Sequence, residues 1–219
     1  MSYLLNKVLI TMSAAFLCCA SFSATAALQV FACEPEWASL ASEIAGDKVK
    51  TFSATHARQD PHFIKARPSL LSKVRKADMI VCSGADLEIG WLPLLLERAS
   101  ADVQEGAVGN LMAYQYVPVL EIPTVIDRSL GDIHPDGNPH LHLDPRNLLR
   151  VGKELANRLA LIDEGNAEYY QTGFKNFETK FIQAIKRWRE EGKELQGMQV
   201  MTKHKSLSYL IDFLRIDEV

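Results

Sequence analysis

A chain of 219 residues with 24 Lys and Arg against 27 Asp and Glu carries a net charge of −3, has room for one or two domains, and shows no basic stripe or polycationic tail. Nucleic acid is therefore not an expected partner. Of the four cysteines, Cys18 and Cys19 lie in an apolar N-terminal run, and the remaining Cys33 and Cys82 are too few for a finger-type zinc site.

The first 26 residues read as a secretory signal. Lys7 supplies the positive charge, Val8 to Ala20 the apolar run, and Ala24-Thr25-Ala26 a small-residue cleavage site, so an exported mature chain is expected to start at Ala27. A run this short is a poor membrane span. Leu17 and Cys18 stand where a lipoprotein site wants small residues. Export would leave Cys33 and Cys82 at the ends of two expected strands, and the sequence leaves open whether they pair or stay as buried thiols.

Leu28 to Ala32 reads as a first strand, Trp37 to Ala45 as an amphipathic helix and Asp47 to Ala54 as a second strand, followed by a polar loop from Thr55 to Pro61. Pro68 to Ala77 has helical spacing with proline at its start, and Asp78 to Gly84 is a compact buried strand. A helix from Asp86 to Ala99, interrupted by Pro93, and a strand from Tyr116 to Ile122 are expected next. Strands alternating with helices predict an α/β fold around a parallel sheet.

The segment from Gly131 to Pro145 packs three of the six histidines, His134, His140 and His142, into nine residues and carries three prolines and two glycines. It reads as a loop ending where Asp144-Pro145 opens a helix. Arg146 to Leu161 is that helix. A second runs from about Glu164 to Leu195, with Tyr170, Phe174, Phe177, Phe181, Ile185 and Trp188 spaced by three and four, long enough to bridge two lobes. The less favoured alternative is two shorter helices broken at Gly173. Gly197 to Thr202 then starts a further strand, and His204 lies in the loop before another helix. The expected organisation is a signal peptide over 1–26, an N-terminal α/β lobe over 27–145, linking helices over 146–196 and the start of a C-terminal α/β lobe over 197–219.

His62, His140 and His204 each follow a strand or sit in the loop beyond it. In parallel α/β lobes the carboxyl ends of the strands face a common crevice, so ligands 78 and 64 residues apart in sequence can meet there. Neutral imidazole is a common metal donor, and zinc wants about four ligands. His56, His134 and His142 read as solvated loop residues, with His134 and Asp136 able to capture metal weakly at the cleft mouth.

Asp60-Pro61-His62, Gly137-Asn138-Pro139-His140 leading through Leu143-Asp144-Pro145 into a helix, and His204 followed by Ser208-Tyr209-Leu210 together resemble the periplasmic zinc-binding proteins of metal ABC importers. The helix from Glu164 to Leu195 resembles the rigid spine between that family's two lobes, and Ser83-Gly84-Ala85-Asp86-Leu87-Glu88 its Gly-x-x-Leu-Glu segment. The resemblance implies a two-lobed metal-binding fold with an incomplete second lobe. It further implies a zinc ligand set of His62, His140 and His204, delivery of zinc to a membrane permease by a monomer, and no enzymatic activity. Histidine at 204 resembles the zinc-type members and favours zinc over manganese, since nitrogen-rich ligation suits the softer ion. The chain departs from the family in its short histidine loop, in His142 where an aromatic is common, and in ending before the late carboxylate ligand, which reads as truncation. Zinc loading is expected to weaken as pH falls. The competing class is a zinc hydrolase using His140-x-His142, in which metal would activate water, although Pro145 interrupts the His-x-His-x-Asp pattern.

Overall fold

The computed structural model describes residues 26–126 and 134–219 of the protein. The expected signal peptide thus lies, apart from Ala26, outside the described residues, as does the stretch 127–133 of the long loop.

Four strands form one parallel sheet: β1 (Leu28–Ala32), β2 (Val49–Ser53), β3 (Met79–Cys82) and β4 (Asn110–Met112), in the order β2-β1-β3-β4. Registers such as Val30↔Thr51, Phe31↔Ile80 and Val81↔Leu111 place Ala32, Ser53, Cys82 and Met112 at the same, carboxyl, end. Central strands in such sheets are covered on both faces. Accordingly every residue of β3 is buried, Met79 and Val81 in one core and Ile80 and Cys82 in the other. Cys33 and Cys82 form a disulfide across the carboxyl ends of β1 and β3. Its partners are 49 residues apart, and closing such a loop in the unfolded chain is worth about 4 kcal/mol on the chain-entropy account.

The first helix, α1 (Pro35–Ala45), starts with proline in its first turn and buries Trp37, Leu40, Ala41, Ile44 and Ala45, the three-and-four spacing of a helix lying on a sheet. The helix expected from Pro68 ends early, α2 spanning Pro68–Val74.

Two expected elements differ more. Between Asp86 and Ala99 only α3 (Leu92–Leu96) is helical, because Ala85 and Asp86 adopt positive φ (50° and 64°) and commit residues 85–91 to turns. The strand expected over Tyr116–Ile122 is not one. The fourth strand comes earlier, at β4, a 3-10 turn occupies Ala113–Tyr116, and the following chain holds Pro118, which has no N–H for a ladder, and Glu121 at φ 57°. Three residues, Asn110, Leu111 and Met112, gave β4 too little periodicity to be seen.

After the long loop, α4 (Pro145–Ile162) and α5 (Ala167–Glu191) pack against each other and cover the sheet through Val151, Leu155 and Leu159 of the one and Tyr170, Phe174 and Phe177 of the other. Within the helix expected from Glu164 to Leu195, the α-helical part is Ala167–Glu191, flanked by 3-10 turns at Glu164–Asn166 and Gly192–Leu195. It runs unbroken through Gly173, and its 25 residues reach roughly 37 Å at 1.5 Å each. Beyond it, β5 is only Gln199–Val200, paired in parallel with β6 (Asp217–Glu218) across α6 (Ser208–Leu214). The structure is thus α/β, a four-stranded parallel sheet followed by a long helix and a two-stranded parallel sheet. No helix among the described residues is long and apolar enough to cross a membrane.

Gly173 explains why α5 can lie so close to α1. A Cβ there would sit 1.9 Å from the carbonyl oxygen of Ile44, which is backbone and cannot swing away. In a free helix alanine is preferred over glycine by about 1 kcal/mol, but overpacking costs about 1–3 kcal/mol. Gly173→Ala is therefore expected to lower the urea midpoint, and a midpoint unchanged or raised would show that the contact is not tight.

Candidate metal centre

The loops at the carboxyl end of the sheet bring three imidazoles together. His62 lies in a 3-10 turn, Pro61–Phe63, capped by Asp60, whose Oδ1 accepts from the His62 backbone N–H at 3.0 Å. The turn is pinned to the core because the buried indole of Trp91 donates to the carbonyl of Pro61 at 2.8 Å. Asp60 Oδ1 also lies 2.7 Å from His62 Nδ1. A carboxylate there accepts from Nδ1–H and leaves the Nε2 lone pair outward, the usual way a second partner fixes a ligating histidine. Burial works against ionisation of Asp60, but the hydrogen bonds from the ring and backbone of His62 outweigh it and hold the carboxyl below its usual range.

Nε2 of His62 points at Nε2 of His134, 3.1 Å away, and the ring of His140 lies 5.8 Å from that of His62, centre to centre. With His62 acting as acceptor, His134 supplies the proton of the Nε2–Nε2 contact. His140 is set by its own turn. Its backbone N–H donates to Asn138 Oδ1 at 2.9 Å, Leu141 beside it is fully buried, and Asn147 Nδ2 donates to the Leu141 carbonyl at 2.9 Å. Asp144 caps α4 by accepting from the Arg146 N–H at 2.8 Å and is clamped by the Arg146 guanidinium. Burial, reinforced by the neighbouring His62, His142 and His134, lowers the pKa of His140 to about 4. At neutral pH it therefore keeps a free lone pair, the form that binds metal.

The other histidines go elsewhere. His142, whose pKa burial also lowers to about 4, sets Nδ1 3.1 Å from Glu36 Oε1 and meets Trp37 edge-on. It makes no ring contact with His140 although only one residue separates them. His56 is exposed. His204 is exposed as well, just before the 3-10 turn Lys205–Leu207, and among the described residues no hydrogen bond or ring contact joins it to His62, His134 or His140. Of the three histidines expected as ligands, the structure brings His62 and His140 together, and His134, read from the sequence as an accessory, joins them. Its signal was position alone: six residues before His140, in the same loop.

A second cluster was not foreseen. Glu34 and Glu88 are buried where β1 and β3 end, and both face Ser83. Ser83 N donates to Glu88 Oε1 at 2.9 Å and to Glu34 Oε2 at 3.3 Å, Ser83 Oγ donates to Glu34 Oε2 at 3.2 Å and accepts from the Trp37 indole at 3.0 Å, and Gly84 N donates to Glu88 Oε2 at 3.1 Å. Burial is the largest influence on both carboxyls. With the charges of Glu88 and Glu36 added, it pushes Glu34 well above the usual carboxylate range. It raises Glu88 to about 7 against the opposing hydrogen bonds. Cys33 and Cys82 lie within 4.8 Å of a Glu88 oxygen, a spacing that could suit a metal, but both sulfurs are spent on the disulfide. The hints in the sequence were Glu34 just past the first strand and Glu88 at the end of the Gly-x-x-Leu-Glu-like segment.

The family model of the periplasmic zinc-uptake complex component A, ZnuA, matches residues 30–219, nearly all of the described chain. The chain belongs to the ZnuA family. Among curated family relatives, the manganese ABC transporter substrate-binding lipoprotein PsaA of Streptococcus anginosus is 28% identical over 167 residues, 75% of this chain and 51% of the relative. The metal ABC transporter substrate-binding lipoprotein SloC of Streptococcus mutans is 27% identical over 180 residues, 81% of this chain and 56% of the relative. The chain thus spans about half the length of the curated relatives it matches. A crystal structure of ZnuA superimposes with a TM-score of 0.73 at 19% identity, covering 88% of this chain and 69% of that one. The metal-dependent lipoprotein YcdH of Bacillus subtilis gives 0.69 at 20% identity, covering 88% and 66%. At these identities the structures establish a shared fold.

The buried carboxyl pair makes stability depend on pH. A carboxyl whose pKa is raised by folding takes up a proton as the chain folds, so stability falls with pH wherever the folded state holds more protons. The contribution is complete below about 4.5, the unfolded value, and is lost as pH rises through about 7, the folded value of Glu88. Glu34→Gln mimics the protonated acid and cannot ionise. Comparing urea midpoints at pH 5 and pH 8 should show a smaller fall in the variant than in the wild type, and an equal or larger fall would mean that Glu34 is not the protonated partner.

Proposed function

We propose that this protein captures a divalent metal ion outside the cytoplasm and passes it to the membrane permease of an ABC importer, with zinc preferred over manganese. The observation that carries the reading is the gathering of imidazoles about His62 at the carboxyl end of the sheet, with Nε2 of His62 and of His134 3.1 Å apart and the ring of His140, which burial keeps neutral, 5.8 Å from that of His62. His62 and His140 are the principal ligands, His134 a third donor, and His204 the ligand from the segment beyond the long helix. A metal ion replaces the shared proton between His62 and His134, and Asp60 stabilises the charge that the His62 ring then carries. Imidazole donors favour the softer, nitrogen-preferring ion. Relatives such as PsaA are named for manganese. Export through the N-terminal signal as a soluble periplasmic monomer completes it.

The hydrolase reading loses its geometric basis. His140 and His142 would have to ligate together, yet the His142 ring is turned toward Glu36 and packs edge-on against Trp37. The family's curated relatives are transporter components.

Zinc titration of the purified chain against a chelating indicator is the test. His62→Ala and His140→Ala should each weaken binding by at least about 100-fold and His134→Ala by about 10-fold, the range expected between a ligand and a supporting donor. Zinc should also displace manganese in direct competition. Equal binding by wild type and His140→Ala would remove this site from the reading, and preferential retention of manganese would correct the metal.

A further inference from the structure

The segment that follows His204 is fastened to the loop that carries His140 by a set of bonds that involves no metal. The hydroxyl of Tyr209, a residue 1% exposed in the first turn of α6, accepts from the backbone N–H of Leu120 at 3.1 Å and donates to the carbonyl of Asn138 at 2.8 Å. The side chain of Asn138, itself buried, donates from Nδ2 to the carbonyl of Lys205 at 2.6 Å and to Glu121 Oε2 at 2.7 Å, while its Oδ1 accepts the backbone N–H of His140. Ser208 Oγ donates to Glu121, and Lys205 Nζ pairs with Glu121 at 2.8 Å. Two residues before His140 and one residue after His204 therefore meet at a single amide. Backbone shape supports the junction. Gly137 has φ 94°, and a Cβ there would lie 2.4 Å from Val119 Cγ1 and 2.8 Å from the Leu120 carbonyl, so the histidine loop presses directly on the segment that Tyr209 also binds.

We propose that Tyr209 and Asn138 are positioning residues of the metal centre, a clamp that holds the His140 loop in register with the segment bearing His204 before any metal arrives. The proposal rests on the reading of these histidines as ligands. Tyr209 joins the apolar core of the sheet with its ring and the loop with its hydroxyl, so the clamp transmits the fixed position of the core to the ligand loop. A ligand loop ordered in advance loses less conformational freedom when metal binds, which shows as tighter binding and slower release. The exposed pair Lys205–Glu121 adds little to this, as ion pairs in water do. The buried amide and phenol carry it.

Tyr209→Phe keeps the ring and removes the hydroxyl. In the metal-free protein, hydrogen exchange at Leu120 and along 205–210 should quicken, and zinc should bind about 10-fold more weakly through faster dissociation, with the same number of ions bound. Asn138→Asp keeps the acceptor for His140 N–H but removes the donor to Lys205 and sets a charge against Glu121, and it should act in the same direction. It serves as the test if Tyr209→Phe does not fold. Cobalt(II) as a spectroscopic probe reads the ligand field directly: a clamp variant should alter the visible bands, whereas a residue that only stabilises the fold would lower the urea midpoint and leave both spectrum and zinc dissociation rate unchanged. A wild-type chain that fails to bind zinc would reject the histidine reading itself. A folded variant that releases zinc at the wild-type rate, from a wild type that binds, would overturn the clamp alone.

Discussion

The parallel pairing of β1 with β3, closed at its carboxyl end, is the constraint on which the other parts depend. Register alone sets Ala32 beside Val81, and the Cys33–Cys82 bond and the backbone N–H of Ser83 shared between Glu34 and Glu88 tie the chain just beyond. Three kinds of link at one point fix the direction in which both chains leave the sheet. One departs into α1, whose Trp37 returns to Ser83, and the other into the turn that leads to Trp91 and so holds the Pro61–Phe63 segment. The position of His62 is therefore inherited from a strand junction to which it does not belong.

That junction places two carboxyls in the interior. Burial pushes Glu34 well above the usual carboxylate range and Glu88 to about 7, a costly arrangement relative to apolar packing that is offset by the N–H groups it satisfies at the strand ends. At the metal centre the same physics operates on bases. Partial burial and mutual repulsion keep His140 unprotonated far below neutral pH, so the imidazole is held in the form that a cation requires. Carboxyls pushed toward their neutral form and a base kept neutral are two outcomes of desolvation in adjoining parts of one sheet end.

Much of this was legible along the chain. Leu28–Ala32 was readable as a strand because its apolar run is bounded by turn residues, and Pro145 as a helix start because Asp144 and proline are an N-terminal signal that the structure uses directly. The long amphipathic helix was legible from its aromatic spacing. Elements that failed did so for local reasons. Tyr116–Ile122 carries apolar residues at strand density, but Pro118 and the positive φ of Glu121 forbid a ladder, and the true strand is too short to leave a pattern. The run after Asp86 has helical composition, yet its backbone is taken by turns that bring Glu88 back to Ser83.

The sequence by itself determined the class of fold and the family, because those follow from periodicity, capping residues and short motifs that are local in the chain. Only the tertiary structure decided which histidines meet. His134 joins His62 across 72 residues, His142 turns away to Glu36, and His204 stays exposed while its neighbours are clamped to Asn138. No spacing rule carries that information. It depends on how Trp91, Tyr209 and the buried turn at Leu141 orient three loops, and those contacts exist only once the sheet has aligned its carboxyl ends.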